Sequence, residues 1–139
     1  MQSLLIFFLS FYILLISIIG YGKLFENLCF GEFNKKDDNL IYTGFYGLMF
    51  VTLISLITSY FIPHNFYHNL ILHGYGFFYL FFNFNQKDRN YLKYIFYISL
   101  FTVSALMISK TNDDFSYYHF PFTKYLTEQK IIFGMGNLN

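Results

Sequence analysis

Residues 1–22 and residues 39–86 contain no Asp, Glu, Lys or Arg. Stretches that long cannot form the solvated surface of a water-soluble domain. Across the chain, 55% of residues are hydrophobic and 12% charged, against about 25% charged in ordinary soluble domains. Lipid is therefore the expected solvent. In lipid every backbone donor and acceptor must be satisfied within the chain. The expected fold is all-α, an integral membrane bundle.

The apolar runs divide into four expected transmembrane helices, about 4–21, 40–62, 66–84 and 91–109. The first is apolar all round, as a lipid-embedded helix should be, and Lys23 follows it. The second is long enough to cross with some tilt and carries Gly44 and Gly47 at helical spacing, where a neighbouring helix can come close. Pro63-His64-Asn65 breaks the run, because proline lacks a backbone donor and disfavours helix before it. The third span holds His68, Asn69, His73, Gly74 and Gly76 and is the most polar. The fourth begins beside Lys93, whose long stem can snorkel to the interface. Beyond it, Tyr118, Phe122, Tyr125 and Leu126 recur at helical spacing around Pro121. That pattern predicts a C-terminal helix lying in the interface.

Six of the nine basic residues flank two loops: Lys23, Lys35 and Lys36 in the first, and Lys87, Arg89 and Lys93 around the third. With four spans both loops share a side, the cytoplasmic one by the positive-inside rule. The Pro63 turn and the residues after Lys110 then face outward. The N-terminus lacks the basic segment and cleavage site of a signal peptide, so the first run is expected to remain as a membrane helix. Trp is absent, which leaves Tyr to occupy the interfacial zone. A net charge of +1 gives no electrostatic basis for binding nucleic acid. The single cysteine, Cys29, excludes an intrachain disulfide and a multi-cysteine zinc site.

The densest polar cluster runs from Thr111 to Pro121 and contains Asp113, Asp114, Tyr117, Tyr118 and His119. Paired carboxylates can hold a divalent cation or act as a general base toward a hydroxyl. Their mutual repulsion tends to raise one pKa. Alternatively, Asp113 or Asp114 caps a short helix beginning near Phe115. His64 and His68 are four residues apart, but no carboxylate lies near them in the sequence. Interfacial hydrogen bonding is their expected role. His73, deeper in the third span, is expected to bond a neighbouring helix.

The segment Asn112–Pro121, continuing to Lys130-Ile131-Ile132-Phe133-Gly134-Met135-Gly136-Asn137-Leu138, resembles a group of large bacterial polytopic membrane proteins of uncharacterised role. These carry a D-D-x-x-Y-Y-H-x-P-like motif after several membrane helices. More distantly it resembles the first outward loop of GT-C type glycosyltransferases, which take a polyprenyl-phosphate sugar as donor. That resemblance implies catalytic roles for Asp113 and Asp114, as base or as ligands of a divalent cation. It implies substrate contacts for Tyr117, Tyr118 and His119.

The chain departs from that family in having four expected spans before the motif, and too few helices to enclose a lipid-linked donor. The expectation is the N-terminal portion of such an enzyme, inactive alone, in the inner (plasma) membrane, with residues after Lys110 periplasmic or extracellular. Residues 111–139 would be the start of a larger region. A non-enzymatic membrane scaffold or assembly subunit, with the acidic pair serving only as a cap, is the alternative.

Overall fold

The structure is a computed structural model that describes residues 2–31, 39–84, 88–108 and 115–132. These form α1 (Gln2–Phe30), α2 (Leu40–Ser59), α3 (Phe66–Phe82) and α4 (Asp88–Ile108), then a π-helical turn (Phe115–His119) that leads into α5 (Phe120–Glu128). The fold is all-helical, with no strand among the described residues.

Three helices are long and apolar enough to cross a membrane, over Leu4–Phe30, Leu40–Ser59 and Arg89–Ile108. Only 17–28% of their apolar windows is buried inside the molecule. The remainder presents side chains such as Ile41, Phe101 and Ile108 outward, as lipid contact requires. The expected third span is the exception: α3 has 17 residues, about 26 Å of helix against a hydrocarbon core of about 30 Å.

The first helix runs further than the expected 4–21. At 29 residues it is about 44 Å long, so Lys23, Glu26 and Asn27 lie within it. Helix tolerates them because its last turns are bonded to neighbours. Glu26 accepts from the buried Thr43 hydroxyl at 2.7 Å, and the Asn27 amide donates to the Tyr79 hydroxyl at 2.8 Å. The helix stops at Gly31, whose φ of +58° is the left-handed conformation that closes a helix C-terminus.

α2 ends at Ser59, three residues before the expected Ile62. The amides of Phe61 and Ile62 turn back to the Thr58 carbonyl at 3.0 and 2.9 Å. Pro63 then has no amide to offer. Asn65 starts α3 as its N-cap, its side-chain oxygen accepting from the His68 amide at 3.0 Å.

α1 is the hub against which α2, α3 and α4 each pack. Gly22 meets Thr43 and Gly47 meets Ile18, so α1 and α2 are antiparallel. Ser17 reaches His73 and Asn27 reaches Tyr79, so α1 and α3 are parallel. Tyr12 pairs with Leu92 and Phe8 with Phe96, so α1 and α4 are antiparallel. The result is an up-down-up-down bundle with two small cores. Ile16, Ile19, Leu80 and Ile95 join α1, α3 and α4, while Tyr21, Val51 and Leu72 join α1, α2 and α3. Polar groups inside are paired across helices: Tyr21 is 3% exposed and donates to the Leu72 carbonyl at 2.7 Å. No buried side-chain nitrogen or oxygen among the described residues lacks a partner.

Candidate functional site

One end of the bundle carries the α2–α3 turn, and the C-terminal segment is fastened to it. The His64 amide donates to the Leu126 carbonyl of α5 at 2.8 Å, and the Ile131 amide donates to the Ser59 carbonyl at 2.8 Å. Ile57, Tyr60 and Phe61 on one side, and Lys130, Ile131 and Ile132 on the other, line a mostly apolar groove of about 720 Å³.

Beside these bonds the sequence builds a compact polar cluster. Pro63 and the Asn65 cap fix the turn so that His64 lies over His68 in the first turn of α3. Their rings stack in parallel, 4.4 Å apart and 5° from coplanar. Both Nε2 atoms approach one hydroxyl, Thr58 Oγ1, at 3.4 Å from His64 and 3.0 Å from His68. His68 Nδ1 lies 3.3 Å from Asn69 Oδ1, and Asn69 Nδ2 donates to the His64 carbonyl at 3.0 Å.

An amide oxygen only accepts, so His68 must carry its proton on Nδ1 to bond Asn69. In the neutral pair His68 Nε2 then accepts from Thr58, whose oxygen can accept from His64 when that ring carries its proton on Nε2. Burial pushes the His64 imidazole pKa below its ordinary 6.5. Its neighbour His68 adds to this, against an opposing bond that the imidazole donates to the Ser55 backbone carbonyl. The cluster can therefore hold and relay a proton at the edge of the bundle, with each polar atom partnered.

The expected catalytic pair, Asp113 and Asp114, lies outside the described residues, and so does the divalent cation site they would form. Of the expected substrate contacts, Tyr117, Tyr118 and His119 fall on the π-helical turn, where all three are exposed. This turn is held to α5 by the Phe115–Phe120 ring contact at 6.2 Å and by Thr123, whose hydroxyl donates to the His119 carbonyl at 2.8 Å. Pro121 sits in the first turn of α5.

Among the described residues no group of three His, Cys, Asp or Glu is placed to hold a metal. His64 and His68 do hydrogen-bond at the end of the bundle, as their positions predict. His73 bonds across to α1, with Nδ1 3.3 Å from Ser17 Oγ. Sequence reasoning did not find Thr58 as the shared partner. Its only signal is a hydroxyl six residues before His64 and ten before His68, on the other side of the proline.

These features define a helical bundle with helices of membrane-crossing length and composition, and a histidine-hydroxyl cluster where its tail is attached. More particularly, the chain belongs to the family described as Domain of unknown function (DUF8201), whose model matches residues 4–139. No curated protein and no solved structure matches the chain.

Proposed function

We propose that this chain is a four-span membrane unit forming the N-terminal region of a GT-C-like glycosyltransferase, which takes a polyprenyl-phosphate sugar for cell-envelope glycan assembly. In this reading α3 is the third of the four spans, made sufficient by its flanking turn residues, and α5 lies in the outward interface. Asp113 or Asp114 activates the acceptor hydroxyl or binds a divalent cation. Tyr117, Tyr118 and His119 contact the substrate.

The observation that carries the reading is the pair of backbone bonds joining the tail to the Ser59–His64 turn. They support a common side for the tail and for the one interhelical turn that has no Lys or Arg. By the positive-inside rule that side is outward, where GT-C enzymes meet their lipid-linked donors. The up-down-up-down register about α1 supports the same topology.

Topology is tested by reporter fusions after Lys36, within residues 85–87 and after Lys130. A cytoplasmic signal from the first two and an outward signal from the third is expected; a cytoplasmic signal after Lys130 removes the reading. Chemistry is tested in the natural full-length protein with Asp113→Asn and Asp114→Asn. Loss of glycan transfer at normal expression is expected. Unchanged transfer would favour the scaffold reading, for which the exposed rings of Tyr117, Tyr118, Phe120 and Phe122 offer a surface.

A further inference from the structure

We propose that Thr58, His64, His68 and Asn69 form a one-proton site that clasps the tail to the bundle, and that a second proton opens the clasp. The proposal stands on the geometry of the turn and does not depend on the glycosyltransferase reading.

The first proton enters from water without displacing a heavy atom. It leaves both Nε2 atoms of the stacked pair donating to Thr58 Oγ1, at 3.0 Å from His68 and 3.4 Å from His64. The Thr58 hydroxyl hydrogen then turns to the Ile54 carbonyl, 2.9 Å away. Thr58 Oγ1 has two lone pairs, one for His68 and one for His64, and Asn69 Oδ1 keeps its donor on His68 Nδ1. Every group in the singly protonated cluster is thus satisfied.

A second proton has only His64 to bind. That ring is partly buried and belongs to a pair, stacked 4.4 Å apart, that already carries one charge. Like charges at this separation in a poorly solvated site repel strongly. Relief comes from moving His64 toward water, and His64 is also the tail's anchor, because its own amide holds the Leu126 carbonyl.

No nearby carboxylate among the described residues offsets the second charge. α2 contributes Thr58 and the Ser55 carbonyl, which favours a charged His64 but is outweighed by burial and His68; Tyr60 follows it, and α3 contributes Asn69 and, deeper, His73. α1 carries no charge before Lys23, and α4 none between Lys93 and Ile108. The tail contributes Tyr125, Lys130 and the exposed Lys124–Glu128 pair at 3.8 Å. The lowered pKa of His64, to which burial and then its neighbour His68 contribute, agrees with this repulsion.

The test is hydrogen exchange of peptides covering residues 59–65 and 126–132 in lipid nanodiscs, at about pH 7.5 and about pH 5, corrected for intrinsic rates. In the wild type, protection at His64 and Ile131 is expected to fall roughly tenfold or more at the lower pH. His64→Gln is expected to keep its protection at both. Unchanged wild-type protection overturns the proposal, and so does a His64→Gln variant that loses protection as the wild type does. Should His64→Gln fail to fold, imidazole ¹⁵N spectra of the wild type decide. Two steps separated by roughly one pH unit or more support the one-proton site, whereas a single shared step overturns it.

Discussion

At Gly20, Gly22, Gly47 and Gly76 a methyl group would run into the backbone of a neighbouring helix. These contacts are Gly20 with Gly76, Gly22 with Thr43, Gly47 with Ile18, and Gly76 with Ser17. Backbone cannot step aside as a flexible side chain can. Gly20→Ala and Gly47→Ala are therefore each expected to lower stability by about 1–3 kcal/mol, the usual cost of overpacking. Gly74 has nothing within 4 Å of the same position. Gly74→Ala should leave stability unchanged or raise it by up to about 1 kcal/mol, through helix propensity alone. Thermal unfolding in one detergent separates the two classes, and equal effects at Gly74 and Gly20 would contradict the packing.

His64 allows a signed pH prediction at the same scale. Its folded pKa lies below its ordinary 6.5, so between those two values the unfolded chain binds more protons than the folded one. The stability this contributes is complete above about pH 6.5 and is lost as pH falls through the folded value. The unfolding midpoint should fall on acidification through that window, and less so in His64→Gln. Of these residue roles, only the histidines and Gly47 were legible in the sequence. Gly44, singled out with Gly47, meets only the Ile19 side chain at 3.5 Å. Spacing shows that a small residue is present, but not whether another backbone lies against it.

At the scale of the element, hydropathy located four helices, and capping chemistry corrected their ends. Charge at Lys23 and Glu26 suggested an end near Tyr21, yet α1 continues because Thr43 and Tyr79 supply partners from distant elements. Conversely α2 stops early, with apolar residues still to come, because Pro63 removes the next donor. Asn65 is the residue that restarts the helix. Asn65→Ala should cost about 1 kcal/mol and lower the protection of the His68 amide in hydrogen exchange; unchanged protection there would show that the cap is not needed. Thr43→Val leaves the Glu26 carboxylate without that donor inside a tight α1–α2 contact. A loss of about 1.5–3 kcal/mol is expected for a hydrogen bond to a charged group, measured by reversible unfolding against the wild type.

Over the whole molecule, the bundle and the tail are held together by different means. α1 packs along three helices, whereas α5 packs on its own π-helical turn, and two backbone bonds, one from Leu126 of α5 and one from Ile131 beyond it, tie the tail to the bundle at the α2–α3 turn. Truncation after Ser109 should therefore leave α1–α4 folded, with helicity falling only by the share of the missing segment. A cooperative loss of bundle helicity in circular dichroism would show that the tail is structural.

The sequence by itself determined the all-helical class of fold and gave helices of membrane-crossing length and composition. Charge-free runs of that length cannot face water, and backbone in lipid must be helical or closed. It also placed the break at Pro63-His64-Asn65, which acts through local backbone chemistry, but not the end of α1 at Gly31. What only the tertiary structure decided was α1's place as the hub, and the meeting of Thr58 with His64 and His68. Those depend on which faces pack together, and an apolar helix in lipid has no polar face to announce which side a neighbour will take.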